Sequence, residues 1–576
     1  MTARRVAATT GRTAALACAS VVGVRAATRD TTPTVGKNLL LNRPGPIDAN
    51  NTPTVARNPR RPQNLVVMYR VDRPAYSARL LWSLDGGRAW GTTELPLPEG
   101  LDRPFAGDAA FSADGTLYVS YVNLAGNGNA PDNLWVTRST DGGRSLEAPT
   151  RVAGELSFQA RIVAGEGDTV FVTWLKAAEV GLGLLGRGPH PIVVARSDDG
   201  GRTFADPVEV SDPERERVGA ASPVIDGRGR LVVLYQDFKD DRRDFQNLDG
   251  PPWEGEFALV LAASEDGGRT FGPGVELESG VVPTRRFIVF LPEFPSLAAG
   301  RSGRLYVTWT DGRHGDEDVL LRRSDDGGRT WDEAVRVNDN PVGDGTTQYL
   351  PKVAVAPGGR VDVLFFDRRR DAVDVMNDVT LASSSDGGRS FANLRLSSHS
   401  FDSRIGPSTP PHVGVDFGSR LGLVAADGPS FAAWTDSRMG DLDTGRQDIV
   451  GVTYEIPAPV DRGATSTAMV AAVPPLPFRS RLRAGRWRVI ARRTLRRRSS
   501  VPSPTRPRRR RRAGRGRCGR RRSRRRPRHV TPGPPAEDGW PSSTGRPGAR
   551  RDRRPAGTSP APAGGGGPAP PATGRP

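Results

Sequence analysis

Four short segments, YQDFK (235–239), WTDGR (309–313), FFDRR (365–369) and WTDSR (434–438), each place an aspartate two residues before a base. Each closes a run that reads as a strand. Residues two apart in a strand point to the same side, so Asp237, Asp311, Asp367 and Asp436 form a rim together with Arg313, Arg369 and Arg438. Two chemistries are open to that rim. Three arginines converging on one ligand would clamp a carboxylate through paired N–H donors, which makes Arg313, Arg369 and Arg438 candidate substrate-binding residues. Alternatively, each aspartate and its arginine form an ion pair that braces the bend of their own unit. Repetition favours bracing, because an active site is asymmetric and a repeat is not. Asp318, Asp378 and Asp448, which open the following strand, fit the same bracing role.

The elements that carry these residues repeat. An octet recurs six times: SLDGGRAW (83–90), STDGGRSL (139–146), SDDGGRTF (197–204), SEDGGRTF (264–271), SDDGGRTW (324–331) and SSDGGRSF (384–391). Three strand signals precede each copy and a fourth follows, as in EAVRVN (333–338). No helical periodicity appears between residues 35 and 455. The pattern predicts an all-β chain of four-stranded units, and units that cannot bury both faces alone close around an axis. Seven three-strand starts, near residues 53, 106, 158, 219, 293, 350 and 411, predict a seven-bladed β-propeller; six blades is the alternative. The last unit lacks a fourth strand, and VGKNLLLN (35–42) is expected to supply it and close the ring. Within the octet, Asp85, Asp141, Asp199, Asp266, Asp326 and Asp386 are expected to accept the turn's own N–H groups. The paired glycines allow positive φ, and the closing aromatic fills the seam between blades.

Ser-x-Asp-x-Gly-x-Thr-Trp resembles the Asp-box, or BNR repeat, of the sialidase superfamily, over about residues 35–455. The resemblance implies that the six aspartates are structural and that chemistry lies on the opposite face. Sialidases use a tyrosine nucleophile activated by a glutamate, an exception to the two-carboxylate rule of glycosidases. Aligned on Pro295 and Pro351, Glu293 and Tyr349 occupy equivalent positions where adjacent blades enter strand one. The resemblance therefore suggests Tyr349 as nucleophile, Glu293 as its base and Asp311 or Asp367 as acid/base. The family's N-terminal arginine motif is missing; its place holds NTPTVARNPRRPQNLVVMY (51–69), where Arg57 or Arg60 is the available substitute.

Other motifs carry little. GLGLLG (181–186) matches a dinucleotide fingerprint in letters but no helix follows it. The acidic loop DGRHGDED (311–318) lacks the spacing of a calcium-binding hand. No cofactor and no metal site are expected. Cys18 and Cys518 are the only cysteines, and both lie outside the repeats.

The 576 residues carry a net charge of +19 that is unevenly spread. Residues 478–576 hold 31 arginines and 3 acids, leaving the remainder acidic at −9. Four segments follow: a secretory signal peptide over 1–30, with Arg4, Arg5 and Arg12 before the apolar run 13–24; the propeller over 35–456; a linker over 457–477; and a disordered Arg/Pro/Gly-rich tail over 478–576. The tail's composition is also what GC-rich DNA gives in a wrong frame, so a frameshift near residue 474 is expected to have replaced a membrane anchor begun by MVAAV. The tail could hold polyanions through charge alone, with no specific nucleic acid implied. No stretch is long and apolar enough for a transmembrane helix.

The expected function is an exported, secreted or cell-surface, monomeric sialidase-like glycoside hydrolase acting on terminal acidic sugars. Its alternative is a non-catalytic propeller that binds a glycan or glycoprotein.

Overall fold

The structure, a computed structural model, describes residues 32–126, 130–154, 156–178, 189–239, 257–282, 294–407 and 417–457. These belong to the first of two compact units, Met1–Met469; the second, Val470–Pro576, lies outside the described residues.

Seven antiparallel sheets follow one another along the chain. Their innermost strands are Ala49–Arg57, Pro104–Phe111, Ser157–Ala164, Val218–Ile225, Ser296–Ala299, Gln348–Val355 and Gly422–Val424, for blades 1 to 7. Strands two, three and four of each blade follow outward. In blade 7 the outermost place is taken by the N-terminal Thr34–Val35, with Thr34 opposite Glu455 and Val35 opposite Tyr454, and Leu39–Leu40 pairs with the same strand. The chain is a seven-bladed propeller closed by its own N-terminal strand, as the repeats predict. In blade 7 the described part of the inner strand is Gly422–Val424, with Gly422 opposite Ala433; the expected start near 411 lies outside the described residues. Residues 408–416 lie outside the described residues.

The hydrophobic effect holds the ring together seam by seam. Among the described residues, seven buried clusters each join two adjacent blades. The seam between blades 7 and 1 joins Phe431, Ala433 and Ile449 to Leu65, Val67 and Leu81, with Leu41 of the N-terminal segment added.

Each octet is a closed hydrogen-bonded turn. In 197–204 the Ser197 hydroxyl donates to Asp199 at 2.8 Å, and the Asp199 carboxylate accepts from the amides of Arg202 and Thr203 and from the Thr203 hydroxyl at 2.6 Å. These bonds, the Thr203 hydroxyl first, hold the Asp199 carboxyl well below the usual carboxylate range. The second glycine sits against the neighbouring blade: a Cβ on Gly268 would stand 2.7 Å from the Phe171 ring. The closing Trp90 ring lies 5.4 Å from Phe431 across the seam between blades 1 and 7.

Candidate functional site

The Asp-x-base segments are braces. In all four, the amide of the second residue donates to the aspartate: Lys239 to Asp237 (2.9 Å), Arg313 to Asp311 (3.0 Å), Arg369 to Asp367 (3.1 Å) and Arg438 to Asp436 (2.9 Å). The arginine side chains then fold back on the same carboxylates, at 2.5 Å for Asp311, 2.6 Å for Asp367 and 2.5 Å for Asp436. Asp237 is held instead by Arg215, at 2.5 Å. Each arginine also reaches outward: Arg313 to Glu278 of blade 4, Arg369 to Asp339, and Arg438 to the Ser398 hydroxyl. The three arginines thus stitch separate seams. Converging on one ligand would require these bridges to open.

Tyr349 is 0% exposed, its ring 5.2 Å from Phe366 in the core between blades 6 and 7. The Arg368 guanidinium lies 5.0 Å from that ring's centre and 3.3 Å from Asp374. Glu293 lies outside the described residues. Asp311 and Asp367 are buried; Asp311 accepts from the Trp309 indole and Asp367 from the Thr380 hydroxyl. A nucleophilic role for Tyr349 needs this packing to open. Arg57 and Arg60 stand at the far end of the channel, on the octet face: Arg57 pairs with Leu65 and Arg60 reaches the Ala113 carbonyl.

The channel itself has a register that the sequence reading did not use. In five blades the innermost strand begins with a bulge whose second residue is left-handed: Thr52 (φ 56°), Ala106 (φ 40°), Gln159 (φ 57°), Ala220 (φ 58°) and Leu350 (φ 53°). Gly418 (φ 81°) fills the same place in blade 7. The bulge turns the residue two positions on into the channel. Around the axis these residues are Thr54, Asp108, Arg161, Ser222, Lys352 and Arg420, with Ser296 in blade 5. The cavity they line encloses about 440 Å³.

At this position an acceptor has structural work. Asp108 accepts the amide of Ile162 in the next blade (3.4 Å), Ser222 that of Leu297 (3.2 Å) and Ser296 that of Val353 (3.3 Å). Blades 3, 6 and 7 carry Arg161, Lys352 and Arg420 instead. Cations are donors only and cannot make this bond. Arg161 pairs with Asp108 at 2.9 Å, and Arg420 reaches the Gly107 carbonyl at 3.3 Å. Burial first and Arg161 second push Lys352 down to about 7 and Arg420 down to about 9.

Beside the mouth, on the loop face, stands an aromatic pair. Tyr76, 39% exposed, meets Phe105 edge-on at 5.4 Å, and the Arg70 guanidinium lies 5.6 Å from the Phe105 ring centre. Arg70 is set by Asp72 at 2.8 Å, and Asp72 also accepts from Asn51 at 2.8 Å. Aligning the seven inner strands in the sequence would have displayed the Thr, Asp, Arg, Ser, Ser, Lys, Arg column, which breaks the repeat.

No protein-family model matches this chain, and no curated protein matches it by sequence. Solved structures similar in fold include a protein of unknown function from Dyadobacter fermentans DSM 18053, at 14% identity and a TM-score of 0.42, over 74% of this chain and 99% of that one. The Hadza microbial sialidase Hz136 is similar at 17% identity and a TM-score of 0.37, over 67% of this chain and 75% of that one. An alpha-L-arabinanase from Penicillium chrysogenum, complexed with arabinobiose, is similar at 15% identity and a TM-score of 0.39, over 62% and 96%.

Proposed function

We propose that this chain is an exported propeller that binds an acidic glycan or glycoprotein sugar at the loop-face mouth of its channel. The observation that carries the reading is the exposed Tyr76 set edge-on against the partly buried Phe105, with Arg70 over the Phe105 ring. An aromatic ring takes the C–H face of a sugar ring, and Arg70, held on Asp72 at 2.8 Å, gives that side of the mouth a cationic group that favours an acidic sugar nearby. Binding is favoured over hydrolysis because Tyr349 is enclosed and Arg313, Arg369 and Arg438 are committed to seams. The hydrolytic form of the proposal is an exo-sialidase with Tyr349 as nucleophile.

The test is a glycan array with matched acidic and neutral sugars, run beside a fluorogenic α-sialoside assay from pH 4 to 8. The expected result is retention of uronic- or sialic-acid-terminated glycans, at least tenfold weaker in Tyr76→Ala, without turnover. Turnover abolished by Tyr349→Phe would replace binding with the hydrolytic form. A folded protein that retains no glycan and turns none over overturns both.

A further inference from the structure

We propose that the channel interior is a binding site for a small oxyanion, held by Lys352, Arg420 and Arg161. The site stands on charge and geometry in the inner strands and is independent of the aromatic pair at the mouth.

Three cations share one carboxylate there. Asp108 is already committed: it pairs with Arg161 and accepts two amides, of Ala109 at 3.0 Å and Ile162 at 3.4 Å. Arg420 is 8% exposed, and its Nε has no hydrogen-bond partner among the described residues. Lys352 faces the cavity with no ion pair or hydrogen bond to any described residue. Lys352 is partly buried without a partner, and Arg420 is buried with the Gly107 carbonyl accepting from one side of its guanidinium. Positive charge enclosed with so little compensation is costly, and an anion between these groups removes that cost. The serines at the same level, Ser222 and Ser296, place hydroxyl groups beside the cavity. Guanidinium groups suit planar or tetrahedral oxyanions by geometry, and the lysine adds a point charge.

The ligand chemistry is therefore sulfate, phosphate or a carboxylate. It has two sources, a free anion or the carboxylate of a sugar entering from the mouth.

The experiment is isothermal titration of the full chain at pH 6.5 with sodium sulfate, phosphate and glucuronate, at constant ionic strength set by chloride. Saturable binding is expected, weakened at least tenfold in Lys352→Met and in Arg420→Met. Binding is expected to fade above pH 7 as Lys352 loses its proton. Lys352→Arg keeps its charge, so it should hold the anion at pH 8.5 where the wild type does not. Sulfate binding that survives Tyr76→Ala supports the site whether or not the glycan reading stands. Glucuronate binding with the same variant sensitivity supports the site with a sugar as the source. The proposal falls if no oxyanion binds saturably at pH 6.5, or if binding is unchanged in both methionine variants while circular dichroism shows them folded.

Discussion

A lysine that faces Arg161 and Arg420 with only a committed Asp108 near it lives in a field that rejects its proton. Its ammonium form is disfavoured in the folded chain and free in the unfolded chain, where the ordinary value is about 10.4. Between about pH 7 and pH 10 the unfolded state therefore binds a proton that the folded state lacks. Stability must rise with pH across that window, by up to about 1.4 kcal/mol per pH unit from this group. Below pH 7 both states are protonated, and Lys352 adds no further slope. Lys352→Met removes the titrating group, so its stability should be flatter from pH 7 to 9. Urea unfolding at pH 7, 8 and 9, in buffer free of oxyanions, reads the slope directly. Equal slopes in wild type and variant would show that Lys352 is solvated and ordinary. Added sulfate should move the wild-type window upward, because an anion in the channel restores the proton.

At the scale of elements, the bulge at the head of the inner strand decides what faces the channel. It stands on left-handed residues that do not advertise it. Thr52 and Leu350 are types that seldom adopt positive φ, so their local preference argued against the geometry that the ring imposes. The octets were legible for the opposite reason. Their serine, aspartate and glycines satisfy the turn within eight residues, and the local signal needs no tertiary help. The repetition of the Asp-x-Arg segments favours bracing over a ligand clamp, and the ion pairs on Asp311, Asp367 and Asp436 are what bracing needs. Tyr349 could be placed at the head of a strand, but its enclosure by Phe366 and Arg368 arises from the seam between blades 6 and 7. The bulge makes a prediction with two signs. Gly418→Ala would put a Cβ 2.3 Å from the Thr52 hydroxyl oxygen and 2.6 Å from its backbone nitrogen, at a positive φ. A loss of about 2–3 kcal/mol is expected from that overlap and strain. Ala220→Gly releases a left-handed alanine at the equivalent place, and should be neutral or stabilising by up to about 1 kcal/mol. Losses of similar size in both would mean that the bulge is not what distinguishes these positions.

For the whole molecule, closure is the decisive event. Seven repeated sheets bury six seams between sequence neighbours, but the seam between blades 7 and 1 joins the two ends of the ring. The segment 34–42 secures it. Gly36 donates its amide to the Thr453 carbonyl at 2.9 Å, Ile449 donates its amide to Asn42 at 2.7 Å, and Asn42 donates to Asp448 at 2.9 Å. Asn38 reaches across to blade 6, donating to the Leu396 carbonyl at 2.9 Å and accepting the Ser398 amide at 2.7 Å. Without this segment, Asp448–Glu455 becomes an open edge, with backbone donors and acceptors free to pair with another chain. A chain beginning at residue 43 should therefore melt at least about 5 °C lower than one beginning at residue 32, and should self-associate as concentration rises. Thermal unfolding and light scattering across a concentration series measure both. The double substitution Asn38→Ala and Asn42→Ala keeps the strand but removes its side-chain ties, and should lower the melting temperature without exposing the edge. If the truncated chain melts with the longer one and stays dispersed, the three remaining strands of blade 7 close the ring unaided, and the N-terminal segment is only a cover on a finished fold.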